Sequence, residues 1–191
     1  HNIIAVVSSL DGLDLGAGNF TLPVNIKEPL GIKVLIDAKH SNENTSSDGG
    51  TYKDNLKSFI TLLQKEGYKV VENTAVITDA VLSDVNVFVI THPRTSFTAE
   101  ERAAVAKFVK NGGSVLMAGK SNNSTDPTIN NAMLSEIGSA IRVGNDGVFD
   151  DSKEGNFWSD PKVSPFAVRV HPGLVSNYIT DRVSFIDYYS G

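Results

Sequence analysis

Apolar and polar positions change their rhythm near residue 32. Before it, Ile3 to Val7 is a short apolar run, and Gly12, Gly16 and Gly18 punctuate a loop. Phe20-Thr-Leu-Pro-Val-Asn-Ile26 then alternates like an exposed or edge strand, where Pro23 is tolerated. Lys27 to Gly31 reads as a linker. The pattern predicts an N-terminal β arm over residues 1–30, or the remnant of a preceding β domain with its linker. Residues 31–191 form the predicted α/β domain.

From Ile32 the alternation becomes regular. Ile32-Lys-Val-Leu-Ile-Asp37 is a β-rich run ending at a carboxylate, followed by a polar loop to Gly50. Leu56, Phe59, Ile60 and Leu63 recur at helical spacing and predict an amphipathic helix over 52–66, closed by Gly67. A second strand is expected over 68–71 and a short helical turn over 78–82, with Thr78 as its N-cap. Val85 to Ile90 is nearly all apolar, as suits a parallel strand covered on both faces. Thr98-Ala-Glu-Glu101 is a capping box, with a hydroxyl at the N-cap and a carboxylate three residues on. The helix it opens sends Val105, Phe108 and Val109 inward and stops at Asn111-Gly-Gly113. A fourth strand covers 114–118, and Ile129, Met133, Ile137 and Ile141 mark a fourth helical stripe. The order predicts an α/β fold, a flavodoxin-like three-layer sandwich with a mainly parallel sheet. Beyond Arg142 the pattern breaks, leaving candidate strands at 166–170 and 183–186.

The chain has 191 residues, 40% hydrophobic and 20% charged, the composition of a soluble globular protein. A net charge of −5 disfavours nucleic-acid binding, which needs clustered Lys and Arg. No apolar run reaches the ~18 residues of a membrane span. The absence of cysteine removes disulfides, thiolate metal sites and thiol nucleophiles. A start at His1 rather than Met suggests a piece excised from a longer chain.

Two motifs carry a family likeness. One is Lys33-Val-Leu-Ile-Asp-Ala-Lys-His40, with Tyr52 opening the next helix. The other runs from Thr91-His-Pro-Arg94 through Phe97-Thr-Ala-Glu-Glu101 to Val105-Ala-Lys-Phe-Val-Lys-Asn-Gly-Gly-Ser-Val-Leu-Met117. Together they resemble class I glutamine amidotransferase-like domains of the gliding-motility and intraflagellar-transport type, as found inside large secreted bacterial proteins. The resemblance implies a parallel sheet and a nucleophile turn after a central strand. Here Lys120 or Ser121 stands near that turn. With no Cys, hydrolysis through a thioester is excluded, and the resemblance leaves binding or scaffolding.

Ligands in open parallel sheets bind beyond the carboxyl ends of the strands. Asp37 and His40, followed by Asn42, Asn44 and Asp48, could line a polar pocket there, or simply satisfy their own loop backbone. His92 and Arg94 follow the third strand. Arg94 could hold an anion, or the pair could form only a turn into the Thr98 cap. Lys120 and Ser121 complete the candidates, although no Gly-x-Ser-x-Gly frames Ser121. Asp150-Asp151 and His171 lie far along the chain from the first group; Asp37, His40, Asp151 and His171 could converge on an oxygen-seeking cation such as Ca²⁺, and Trp158 with the Tyr188-Tyr189 pair could stack a sugar, but spacing alone supports neither. No metal site and no cofactor are expected.

The leading expectation is a non-catalytic ligand-binding or scaffolding module of a larger extracellular or cell-surface bacterial protein. Its partners would be other domains of the same polypeptide and a small molecule or carbohydrate. The alternative is a hydrolase or carbohydrate-active enzyme using Asp37, His40 or His92 as acid and base. A third reading is an interaction domain pairing through an edge strand of residues 1–26. An open pocket lined by Asp37, His40 and His92 would favour the enzyme, and a filled face the module. As loop residues, His40 and His92 are expected to be dispensable for folding.

Overall fold

The computed structural model describes residues 28–119, 126–148, 150, 155–160, 162–164, 166–170 and 180–189. The expected N-terminal arm falls almost wholly outside them. The elements are β1 (Lys33–Asp37), α1 (Lys57–Lys65), β2 (Lys69–Asn73), α2 (Asp79–Leu82), β3 (Val87–Ile90), α3 (Ala99–Lys110), β4 (Ser114–Met117), α4 (Pro127–Glu136), β5 (Ala167–Val170) and β6 (Ile186–Tyr189).

The first four strands form one parallel sheet in the order β2-β1-β3-β4. This is the flavodoxin-like order, and the fold is α/β as the sequence pattern predicts. Side chains alternate across the pleat. Leu35, Phe88 and Ile90 face one way and pack with Ile77, Val105, Phe108 and Met133 beneath α2, α3 and α4. Val34, Ile36 and Val89 face the other way, under Leu56, Ile60 and Leu63 on the α1 side. β1 and β3 are therefore covered on both faces, which explains their continuous apolar sequence.

Local chemistry sets the element ends. Thr78 Oγ1 accepts from Val81 N–H at 3.3 Å and starts α2. The capping box of α3 is complete: Thr98 Oγ1 accepts from Glu101 N–H at 3.2 Å, and Glu101 Oε2 accepts from Thr98 N–H at 2.9 Å. At the end of α1, Gly67 turns to φ +94°, and the N–H groups of Gly67 and Tyr68 close back on Gln64 and Leu63.

Three boundaries differ from the sequence expectation. α1 starts at Lys57 rather than near 52, because Asp54 takes a left-handed backbone (φ +65°) and the preceding amides are used elsewhere. Asp54 N–H donates to Thr45 O, and Leu56 N–H to Asn44 O. Ile141 lies beyond α4 and is exposed rather than part of its stripe. The last strand begins at Ile186 instead of Val183, since a turn at 180–183 precedes it and Arg169 pairs with Asp187 across the ladder. β5 and β6 form a separate antiparallel sheet, which Phe157 extends by a bridge to Val168.

Candidate functional site

β1 has β2 on one side and β3 on the other, so the chain reverses its winding direction between β1 and β3. Beyond the carboxyl ends of these strands lies the crevice where such sheets hold ligands. Asp37 ends β1 and Thr91 follows β3, so both reach this rim.

The rim is closed by the chain's own side chains. Asp37 is wholly buried. Its Oδ1 accepts from Lys39 N–H at 3.2 Å, and its Oδ2 from Asn42 Nδ2 at 2.5 Å. His40 Nδ1 lies 2.9 Å from Asp37 Oδ2, and His40 Nε2 lies 3.2 Å from Glu101 Oε2. The His40 ring stacks on Phe97 with centroids 3.8 Å apart. Glu101 Oε1 also accepts from Ile77 N–H at 3.1 Å. One carboxylate thus caps α3, fixes the entry to α2 and holds His40.

The loop after β1 is hung from β3. Thr91 Oγ1 donates to Glu43 O at 2.7 Å, and Glu43 N–H donates to His92 O at 3.0 Å. Arg94 Nη2 donates to Glu43 Oε1 at 2.7 Å, and Nη1 lies 3.6 Å from Asp48 Oδ1. Within the loop, Thr45 Oγ1 donates to Asn42 O at 2.7 Å, and Asp48 accepts from the N–H groups of Asn44 and Gly50.

Charge follows geometry. Burial opposes a charged His40, but the hydrogen bond and charge of Asp37, joined by Glu101, outweigh it and raise its pKa above 6.5. Burial likewise opposes the Glu101 carboxylate. The backbone N–H groups of Thr98 and Ile77, with His40, reverse that and lower its pKa. Glu43, helped by Asp48, keeps Arg94 firmly charged.

The structure therefore joins Asp37, His40 and Asn42, and brings Arg94 and the His92 backbone to the same loop. Lys120, Ser121, Asp151 and His171 lie outside the described residues. Asp150 accepts from Asn156 and does not enter the cluster. His40 and His92 are only 3% and 6% exposed, so neither is the little-buried loop side chain on which the expectation of dispensability rested. Glu101, Thr91 and Glu43 were not singled out for this site. The capping box flagged Glu101 but gave no sign that its second oxygen reaches a histidine 61 residues away. Among the described residues no group of three or more His, Cys, Asp or Glu is disposed to hold a metal ion. A groove of about 630 Å³ lies at the opposite, amino end of β3 and β4, lined by Asn86, Lys107 and Asn111.

These features define a flavodoxin-like α/β domain whose ligand crevice is occupied by its own loop. The family model of the IFT52 GIFT domain matches residues 42–156, over half the chain, and the chain belongs to this family. Among solved structures it is similar to the mouse IFT52 N-terminal domain, with 24% identity and a TM-score of 0.61, over 83% of this chain and 66% of that one. The chain thus spans just under two thirds of that structure. No curated protein matches.

Family membership corrects the earlier expectations. Neither matching family nor matching structure is an amidotransferase, and the glutamine amidotransferase-like assignment falls. The longer motif that suggested it is helix, Gly-Gly stop and strand, a wiring that parallel sheets share widely. The secreted bacterial module, the hydrolase alternative and the extracellular location fall with it, because the family is that of an intraflagellar transport component. No helix among the described residues is long and apolar enough to cross a membrane.

Proposed function

We propose that this chain is an assembly module of the intraflagellar transport machinery, giving a rigid α/β body to a multiprotein complex. The observation that carries the reading is the family match over residues 42–156, which spans α1 to α4 and most of the rim loop. Residues 31–191 act in this reading as the α/β unit, with 1–30 as an arm. In this reading Asp37, His40 and Asn42 bond one another, Arg94 bonds Glu43, and the His92 carbonyl accepts from Glu43 N–H, so these residues serve to hold the rim loop. Such a body suits docking because its backbone is fixed before a partner arrives.

The test uses the full-length protein, tagged in its own ciliated cell. Co-sedimentation with intraflagellar transport particles at near-equal stoichiometry, together with ciliary localisation, is expected. A protein that sediments alone and stays out of the cilium overturns the reading.

A further inference from the structure

Each ring nitrogen of His40 faces a buried carboxylate, Asp37 at 2.9 Å and Glu101 at 3.2 Å. A neutral imidazole has one N–H and one lone pair, so it would turn that lone pair onto a carboxylate oxygen. Only the doubly protonated ring donates on both sides. The two carboxylates come from different elements, the end of β1 and the first turn of α3. The His40 backbone belongs to the rim loop, and its carbonyl accepts from the N–H groups of Arg94 and Thr95 at 3.0 and 3.1 Å. The ring therefore lies where β1, the rim loop, the segment after β3 and α3 meet.

We propose that His40 is a proton-operated clasp: with both ring nitrogens protonated it fastens the 38–50 loop over the β1 and β3 ends to α3, and loss of one proton frees the loop while the sheet stays folded. The sheet has its own apolar layers on both faces and does not depend on this contact. The loop lacks such layers and is held by polar bonds: those of Asn42 meet the ring's at Asp37, and those of Glu43 run to Thr91, His92 and Arg94. Several other charged groups of the packed elements are engaged elsewhere. Glu43 and Asp48 engage Arg94, Glu72 of β2 engages Ser46, and Lys107 of α3 engages Asp79 of α2. Arg102 of α3 donates to Phe97 O at 2.6 Å. His92 is the second buried imidazole in the region and has to be followed separately.

The experiment is ¹⁵N-resolved NMR of the imidazole rings of the whole chain. It is combined with amide exchange of Glu43, Thr45 and Asp48 in the loop and Leu35 and Phe88 in the sheet. Spectra are taken from roughly pH 6 to 10, with rates corrected for intrinsic base catalysis. The His40 ring is expected to carry two protons at the acid end. As it titrates, loop amides should lose protection about tenfold per pH unit between the unfolded and folded pKa values and exchange from the open loop, while sheet amides follow only the decline in global stability and stay far more protected. A singly protonated His40 at the acid end overturns the clasp. So does loop protection that ignores the titration, or loop and sheet amides that fail together. His40→Gln should abolish the step, and a step that survives in this variant also overturns the proposal. If His40→Gln does not fold, the wild-type rings and amides decide alone.

Discussion

The central strands of the parallel sheet, β1 and β3, and the strands of the C-terminal sheet all carry apolar residues, yet those residues end in different environments. Val34, Ile36, Phe88, Val89 and Ile90 are essentially inaccessible. In the C-terminal part, Ala167 and Val168 are buried, but Trp158, Val163, Val170, Phe185 and Ile186 are each at least 40% exposed. The difference is the number of layers. β1 and β3 lie between α1 and the α2–α4 layer, while β5 and β6 pair only with each other and with Phe157 among the described residues. Apolar sequence makes a strand possible, but covering both faces makes it a core.

The sharpest way to break this comparison is one charge in each sheet. Val89→Asp places a carboxylate with no partner between two layers, a penalty of several kcal/mol against a typical stability of ~5–15 kcal/mol. Loss of the cooperative urea transition is expected. A soluble protein with native near-ultraviolet dichroism would show that the two-layer covering is wrong.

His40→Ala should come next, at about 3–5 kcal/mol, because it leaves Asp37 and Glu101 buried without their shared cation. Chemical denaturation measures it. A cost near zero would return His40 to the ordinary loop residue the sequence suggested.

The pH dependence is smaller and has a definite sign. The His40 pKa is raised in the fold, so its contribution is full below 6.5 and is lost as pH climbs through the folded value. The Glu101 pKa is lowered, so its contribution is present above 4.5 and is lost as pH falls through the folded value. From these two groups, stability should be greatest between 4.5 and 6.5 and decline above it. Urea midpoints that rise between roughly pH 6.5 and 8.5 would contradict the paired carboxylates as the source.

Smallest of all should be Ile186→Lys, which puts a charge on an exposed strand position and should shift stability by no more than ~0.5 kcal/mol. A large loss there would mean that β6 is covered as β3 is.

Much of the scaffold was legible because its signals are local. The Thr98–Glu101 box, the Gly67 stop and the Leu56, Ile60 and Leu63 stripe each involve residues within about one or two helical turns, where backbone geometry makes neighbours of them. The late start of α1 was not legible. It depends on amides drawn to Thr45 and Asn44, which propensity does not register. The family assignment failed for a similar reason: its motif encoded helix-to-strand wiring, which many parallel sheets need.

Periodicity and turn chemistry were enough for the order of elements, their parallel pairing and the position of Asp37 at a strand end. They could not say whether that end is open or sealed. That depended on the sheet register and on α3 packing across it, which carry Glu101 to His40 over a separation of 61 residues. The same residue types in a loop can serve a substrate or each other, and only their distances in the folded chain distinguish the two.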